Sequence, residues 1–251
     1  MSDPRLQKLT ALLGCDDPLA IQYAAAPPEA ALTPATAGHS CILNYMRLAR
    51  SRRMAAAFTP ETTACMGGKV YLGYLLPPPD RIAHFVTTGY QDGPGERYLP
   101  DPASMHRFFK DLNIQPAPAP CCIVRPAGTL KAGDRPDLYC FHARGETLSG
   151  LMTLACFALD DHHAVVSPFG SGCANVFAWP LHYQRKGEKK AVLGGADPSC
   201  RPYLKTDELT FTVTANILEA MLDVYPQSFL MGKTWAGVRK KAEKSAQTWG
   251  S

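Results

Sequence analysis

The sequence predicts one α/β or α+β domain, a mixed sheet layered with helices. Two observations predict it. Strand-like apolar runs alternate with stretches of helical period, most regularly after residue 120, and such alternation builds layers that bury one face of each element. The 251 residues, 46% hydrophobic and 19% charged, supply a substantial core without disulfide or metal staples. A proline-rich stretch at 115–120 is the natural boundary should the chain divide into two lobes.

Each element has a local reason. Asp3 to Leu13 places Leu6, Leu9, Leu12 and Leu13 at helical spacing, and Gly14 stops the run. Pro18 to Ala24 reads as a strand. Ser40 is a candidate cap for a helix over Cys41 to Arg53, whose basic end (Arg47, Arg50, Arg52, Arg53) suits the helix dipole. Ala55 to Phe58 reads as a short strand. Cys65-Met66-Gly67-Gly68 opens an apolar helix through Val70, Leu72 and Leu75, which Pro77, Pro78 and Pro79 stop. Residues 88–103 read as a surface loop, Met105 to Leu112 as a helix and Gln115 to Pro120 as a linker. Strands are predicted at Cys121–Val124, Asp137–Phe141, His163–Ser167, Ala191–Gly194 and Glu208–Thr214. Helices are predicted at Thr147–Leu159, Cys173–Gln184, Ala215–Tyr225 and Gly232–Lys244.

Composition excludes several functions. The net charge of +4, from 26 basic and 22 acidic residues, is too mild for a nucleic-acid protein. The local basic groups (Arg185, Lys186, Lys189, Lys190 and Arg239, Lys240, Lys241, Lys244) read as solvated faces. No apolar run reaches the roughly 18 residues of a membrane span. The first residues lack the apolar core of a signal peptide, which predicts a cytoplasmic protein. The sequence leaves a homo-oligomer open.

Nine cysteines, at 15, 41, 65, 121, 122, 140, 156, 173 and 200, are many for a cytosolic core, where disulfides are rare. No Cys-x-x-Cys, HExxH or P-loop is present. Cys121 and Cys122 would point to opposite faces of a strand and read as small hydrophobes. Cys140-x-His142 reads as a core strand, Cys156 as core and Cys15 as incidental. Four cysteines remain, each beside a glycine-containing turn. Cys41 follows Gly38-His39-Ser40, Cys65 precedes Gly67-Gly68, Cys173 follows Gly170-Ser171-Gly172, and Cys200 follows Gly194-Gly195 by a short turn. Helix N-termini, predicted for the first three, favour thiolates. Glycines let amides approach sulfur. These surroundings suit an iron–sulfur cluster, yet separations of 24, 108 and 27 residues match no compact motif, and unrelated cysteines near turns remain the alternative.

Cys41 to Arg50, followed by Ala64-Cys65-Met66-Gly67-Gly68 and Leu72-Gly73, resembles the opening of a prokaryotic family catalogued as domain-of-unknown-function family 169. That family typically has proline where this chain has Met66. Pro136 to Phe141, Gly172-Cys173-Ala174, and Ser199-Cys200-Arg201 before Asp207 to Val213 resemble its later motifs. The resemblance spans roughly residues 10 to 225. Its cysteines are the four chosen on local grounds. It implies no established reaction.

Four readings follow. The first is a [4Fe-4S] cluster held by Cys41, Cys65, Cys173 and Cys200, with an electron-transfer partner or a small-molecule substrate, in redox, sulfur-related or anaerobic metabolism. Arg201 would then clamp an anionic substrate. The second is structural zinc, less favoured because zinc ligands are usually closely paired. The third is a metal-free thiol enzyme with Cys173 or Cys65 as nucleophile and His39, His162 or His163 as base. The fourth is a binding module whose Gly170 and Gly172 turn forms an anion nest.

Overall fold

The computed structural model describes residues 3–34, 41–90 and 93–249. Gly38, His39 and Ser40 lie outside the described residues. The elements run α1 (Pro4–Leu13), β1 (Leu19–Ala24), α2 (Ile42–Arg52), β2 (Ala56–Phe58), α3 (Met66–Tyr71) and α4 (Asp80–Val86). A two-residue hairpin, β3 (Gly89–Tyr90) and β4 (Gly93–Pro94), leads to α5 (Pro102–Leu112). Then come β5 (Cys121–Pro126), β6 (Leu138–Ala143), α6 (Gly145–Leu159), β7 (Val165–Val166) and a π-helical turn, Ala174–Ala178, that runs into α7 (Trp179–Arg185). Finally, β8 (Ala191–Gly194), a 3-10 turn (Pro198–Tyr203), β9 (Leu209–Thr214), α8 (Ala215–Val224) and α9 (Lys233–Trp249) follow.

The ends of these elements obey local chemistry. The Asp3 carboxylate accepts from the Arg5 amide at the start of α1, and Gly14 closes it at φ +67°. Asp101 caps α5 by accepting from Ser104 N. α3 stops at Tyr71, short of the predicted Leu75, and Gly73 turns the chain at φ +79°. α4 lies between the triple proline and the predicted loop, where the sequence reading placed no helix. Pro79 is its N-cap and Asp80 its first residue.

Among the described residues, seven strands form one mixed sheet in the order β2-β5-β1-β6-β9-β8-β7. All neighbours are antiparallel except β7 and β8. Strands from before and after residues 115–120 alternate within it, so those residues do not divide the chain into lobes.

Side chains alternate across the sheet. On β6, Phe141 and Ala143 join a core with α1, α6, α8 and Trp235 of α9. Leu138 and Cys140 join the opposite core, with α2, the π-helical turn and the Pro198–Tyr203 turn. β5 alternates likewise, Cys122 and Val124 on the second face and Cys121 and Ile123 on the first. The paired cysteines thus face opposite ways and are fully buried hydrophobes. No helix among the described residues is long and apolar enough to cross a membrane.

One buried ion pair ties α2 to the start of β9. The Arg50 guanidinium donates to both Glu208 carboxylate oxygens, at 3.1 and 3.2 Å. The Glu208 side chain is 5% exposed and that of Arg50 14%. Burial alone would raise the Glu208 pKa, but the hydrogen bonds and charge of Arg50 outweigh it and hold the carboxyl at about 2. His142, buried nearby on β6, is pushed down to about 3, first by burial and then by the Arg50 charge.

The sign follows from linkage. A depressed Glu208 pKa adds stability above its unfolded value and loses it as pH falls towards 2. A depressed His142 pKa likewise lets protons drive unfolding below about pH 6.5. Glu208→Gln should cost about 3 kcal/mol at neutral pH, leaving the Arg50 charge to the exposed Asp16 carboxylate at 3.2 Å, and almost nothing near pH 2. Urea denaturation at several pH values reads this, and a cost independent of pH would refute the pairing.

Candidate metal centre

The second core takes in Cys173 and Cys200, with Cys41 packed against it, and Cys65 stands nearby at the start of α3. Cys41 is the N-cap of α2. Cys65 is the N-cap of α3, and its sulfur accepts from the Gly68 amide at 3.4 Å. Met66 is the first residue of that helix and is exposed, a position where proline is equally at home. Cys173 immediately precedes the π-helical turn. Cys200 lies in the Pro198–Tyr203 turn, and its thiol donates to the Asp197 carbonyl at 3.0 Å. Cys173 and Cys200 are buried, while Cys41 and Cys65 are half-buried.

Electrostatics place these thiols in one neighbourhood. Burial pushes Cys173 well above the usual thiol range, and Cys41, Cys65, Cys200 and the Asp197 carboxylate push it further. Burial raises Cys41, with Cys65 adding to it. Cys200 rises to about 11, through burial first and then Asp197 and Cys41, opposed by the charge of Arg201. The Tyr203 hydroxyl hydrogen-bonds Cys41.

Gly172 shows how closely the segments meet. A β-carbon there would stand 2.5 Å from Leu43 Cδ1 of α2, 2.9 Å from Cys200 Cβ and 3.6 Å from the Cys200 sulfur. Only a residue without a side chain lets the Cys173 segment pass between the Cys41 helix and the Cys200 turn. Gly68 does the same beside Cys65, where a β-carbon would fall 2.6 Å from Ile42 Cδ1.

Among the described residues, no three His, Cys, Asp or Glu side chains stand at metal-ligating geometry. Cys173 and Cys200 sit here as neutral groups. Cys200 spends its proton on a carbonyl, an arrangement open only to the protonated form.

The donor set nonetheless fits a thiolate-binding cation. Burial and mutual repulsion oppose the ionisation of Cys41, Cys173 and Cys200, and a bound cation reverses both effects. Donors already sit beside two of the sulfurs, the Gly68 amide and the Tyr203 hydroxyl. The same raised pKa argues against Cys173 as a metal-free nucleophile, which needs a lowered one. The candidate bases His162 and His163 stand exposed just before edge strand β7, and His39 lies outside the described residues.

Three expected substrate contacts are used otherwise. Arg201 is no anion clamp: its guanidinium donates to the carbonyls of Gly195, Glu208, Lys205 and Thr206 at 2.7–2.8 Å and staples the 195–208 segment. The nest at Gly172 already holds an internal anion, since its amide donates to the Asp197 carboxylate at 3.3 Å and Ser199 donates to the same oxygen. Gly170 makes room for the π-helical turn: a β-carbon there would lie 2.9 Å from Ala174 Cβ. Asp197 and Tyr203 escaped the sequence reading. Asp197 sits three residues before Cys200 and Tyr203 three after, a spacing that puts them beside it in a tight turn.

The chain matches, over residues 8–224, the family described as uncharacterised ArCR, domain-of-unknown-function family 169, and it belongs to that family. All four cysteines fall inside the matched span, and α9 lies beyond it. No curated protein and no solved structure matches the chain.

Gly172→Ala should destabilise the fold by about 1–3 kcal/mol through overpacking. Gly145→Ala, where the added methyl meets nothing within 4 Å, should stay within about 0.5 kcal/mol of the parent. Arg201→Lys should cost about 2–3 kcal/mol, because an ammonium cannot span four carbonyls. Chemical denaturation measures all three, and equal effects for the two glycines would refute the close approach at Gly172.

Proposed function

We propose that this protein is an iron–sulfur protein. It holds a [4Fe-4S] cluster on Cys41, Cys65, Cys173 and Cys200 and acts in redox or sulfur-related anaerobic metabolism in the cytoplasm. One observation carries the reading: Cys41, Cys65 and Cys200, from three distant segments, all act electrostatically on the buried Cys173 thiol, so the four sulfurs share one neighbourhood. The chain does not need a metal as a structural staple, because aliphatic and aromatic side chains make up most of both cores. That separates the reading from structural zinc in a small domain.

The cluster supplies electron transfer, or a Lewis-acid site when three thiols bind and one iron stays open. The protein's own contribution is defined by its residues. The Gly68 amide and the Tyr203 hydroxyl donate towards sulfur, stabilising its negative charge. The apolar side chains of α2 and the π-helical turn exclude water. The Arg201 staple holds the Cys200 turn against the sheet and leaves a positive charge near that sulfur. For Cys200 to bind, its proton must leave the Asp197 carbonyl, so ligation releases protons.

The test is the content of iron, acid-labile sulfide and zinc, with a visible spectrum, in protein purified without oxygen. We expect brown protein with about four iron and four sulfide per chain, both lost in Cys65→Ser. Colourless, iron-free protein after anaerobic reconstitution refutes the reading. Stoichiometric zinc would then favour the tetrahedral alternative, and a metal-free protein with one fast-alkylating thiol would favour the enzyme alternative.

A further inference from the structure

Residues 113–118, which run into the predicted linker Gln115–Pro120, form the wall between two adjoining cavities. On one side is an apolar slot of about 240 Å³ between Tyr23, Tyr71, Leu72, Ile114, Ala178 and Leu181. On the other is a polar hollow of about 620 Å³ with Lys110, Arg185, Lys186 and His182 around it, against the one carboxylate of Asp111 in its lining. Gln115 and Arg185 line both.

The wall is built to keep its shape. Pro116 and Pro118 fix their backbone angles. The Ala117 amide donates to the Gly73 carbonyl at 3.0 Å, which pins the strap to the end of α3. Gly73 has φ +79°, and a β-carbon there would stand 2.4 Å from the Gln115 carbonyl oxygen, so only glycine allows this contact. A preformed apolar slot with a few polar groups at its mouth is the usual form of a small-molecule site.

The two linings differ in chemistry, and that difference defines the ligand. The slot has room for about eight non-hydrogen atoms at water-like packing, and its walls offer rings and aliphatic carbons. Arg185 stands where the slot meets the basic hollow. One of its nitrogens is anchored on the Asn113 carbonyl at 3.0 Å, which holds the guanidinium at the junction. Lys110 and Lys186 add positive charge beyond it. His182 accepts no anion here as built: its Nδ1 pairs with the Leu112 carbonyl at 2.7 Å, and burial lowers its pKa, keeping the ring neutral.

We propose that these two cavities together bind a small amphipathic anion. An aliphatic or aromatic body of about eight non-hydrogen atoms lies against Tyr71, and a carboxylate or phosphate head lies on Arg185. The site borders the cysteines without depending on a metal there. Tyr71 lines the slot and hydrogen-bonds Ser171, and its hydroxyl feels Cys173 and Cys65. A ligand in the slot therefore touches the ring that backs the thiols.

Titration calorimetry with octanoate, octyl phosphate, 1-octanol and inorganic phosphate tests this on the full chain. Saturable binding of octanoate or octyl phosphate is expected, at least tenfold tighter than 1-octanol or inorganic phosphate. Whichever of the two binds more tightly identifies the head group. Arg185→Gln should weaken that binding at least tenfold, and Ala117→Trp, which fills the slot, should abolish it, both with an unchanged melting temperature. Cys65→Ser should bind the ligand as the parent does, so failure of the cluster reading leaves this site standing. The proposal is overturned if 1-octanol binds as well as octanoate, if inorganic phosphate alone binds as tightly, or if Arg185→Gln changes nothing.

Discussion

Exclusion of water from the layer between α2 and the sheet is the constraint on which the rest depends. The buried charges of that layer are partnered, because a lone buried charge is too costly to keep. Arg50 meets Glu208 with two hydrogen bonds, His142 stays neutral, and Arg201 turns its guanidinium on four carbonyls. Cys41, Cys173 and Cys200 obey the same rule by keeping their protons. Their chemistry is thus set by the layer around them more than by their own sequence neighbours.

Close approach is the second requirement, and it is met by what is missing. Gly68 and Gly172 withdraw their side chains so that α3, the Cys173 segment and the Cys200 turn all reach α2. Helix starts then supply amides, as at Cys65. The π-helical turn after Cys173 departs from regular α-helix, as does the 3-10 turn that carries Cys200. Turns of the π type are commonly found at functional positions.

Much of this was legible in the residues. α6, α8 and β8 fall within two residues of where apolar spacing put them, since long periodic segments announce their own ends. The opposed faces of Cys121 and Cys122 follow from the two-residue period of a strand. The four cysteines stood out by their glycine neighbours. Other features were hidden because they depend on tertiary partners. α4 is seven residues long, too short to show a period. Arg201 looked like a ligand-binding group because nothing in the sequence says which carbonyls a folded loop will turn inwards. Gly172 looked like an anion nest, and Asp197 had already filled it from 25 residues away. The proline-rich run at 115–120 has the composition of a linker, yet the sheet continues on both of its sides and Gly73 receives it.

The first helix is completed by the last. Leu12, near the end of α1, leaves a carbonyl that the indole of Trp235 and the guanidinium of Arg239 both approach, at 3.0 and 3.1 Å, and Arg239 also lies over Gly14. More than two hundred residues separate those partners along the chain. Loop closure over that length is entropically costly, and contacts of such span tend to form late. The end of α1 is therefore completed by a contact that order along the chain does not favour. The family match ends at residue 224, so the segment that closes over the first helix lies outside the matched span.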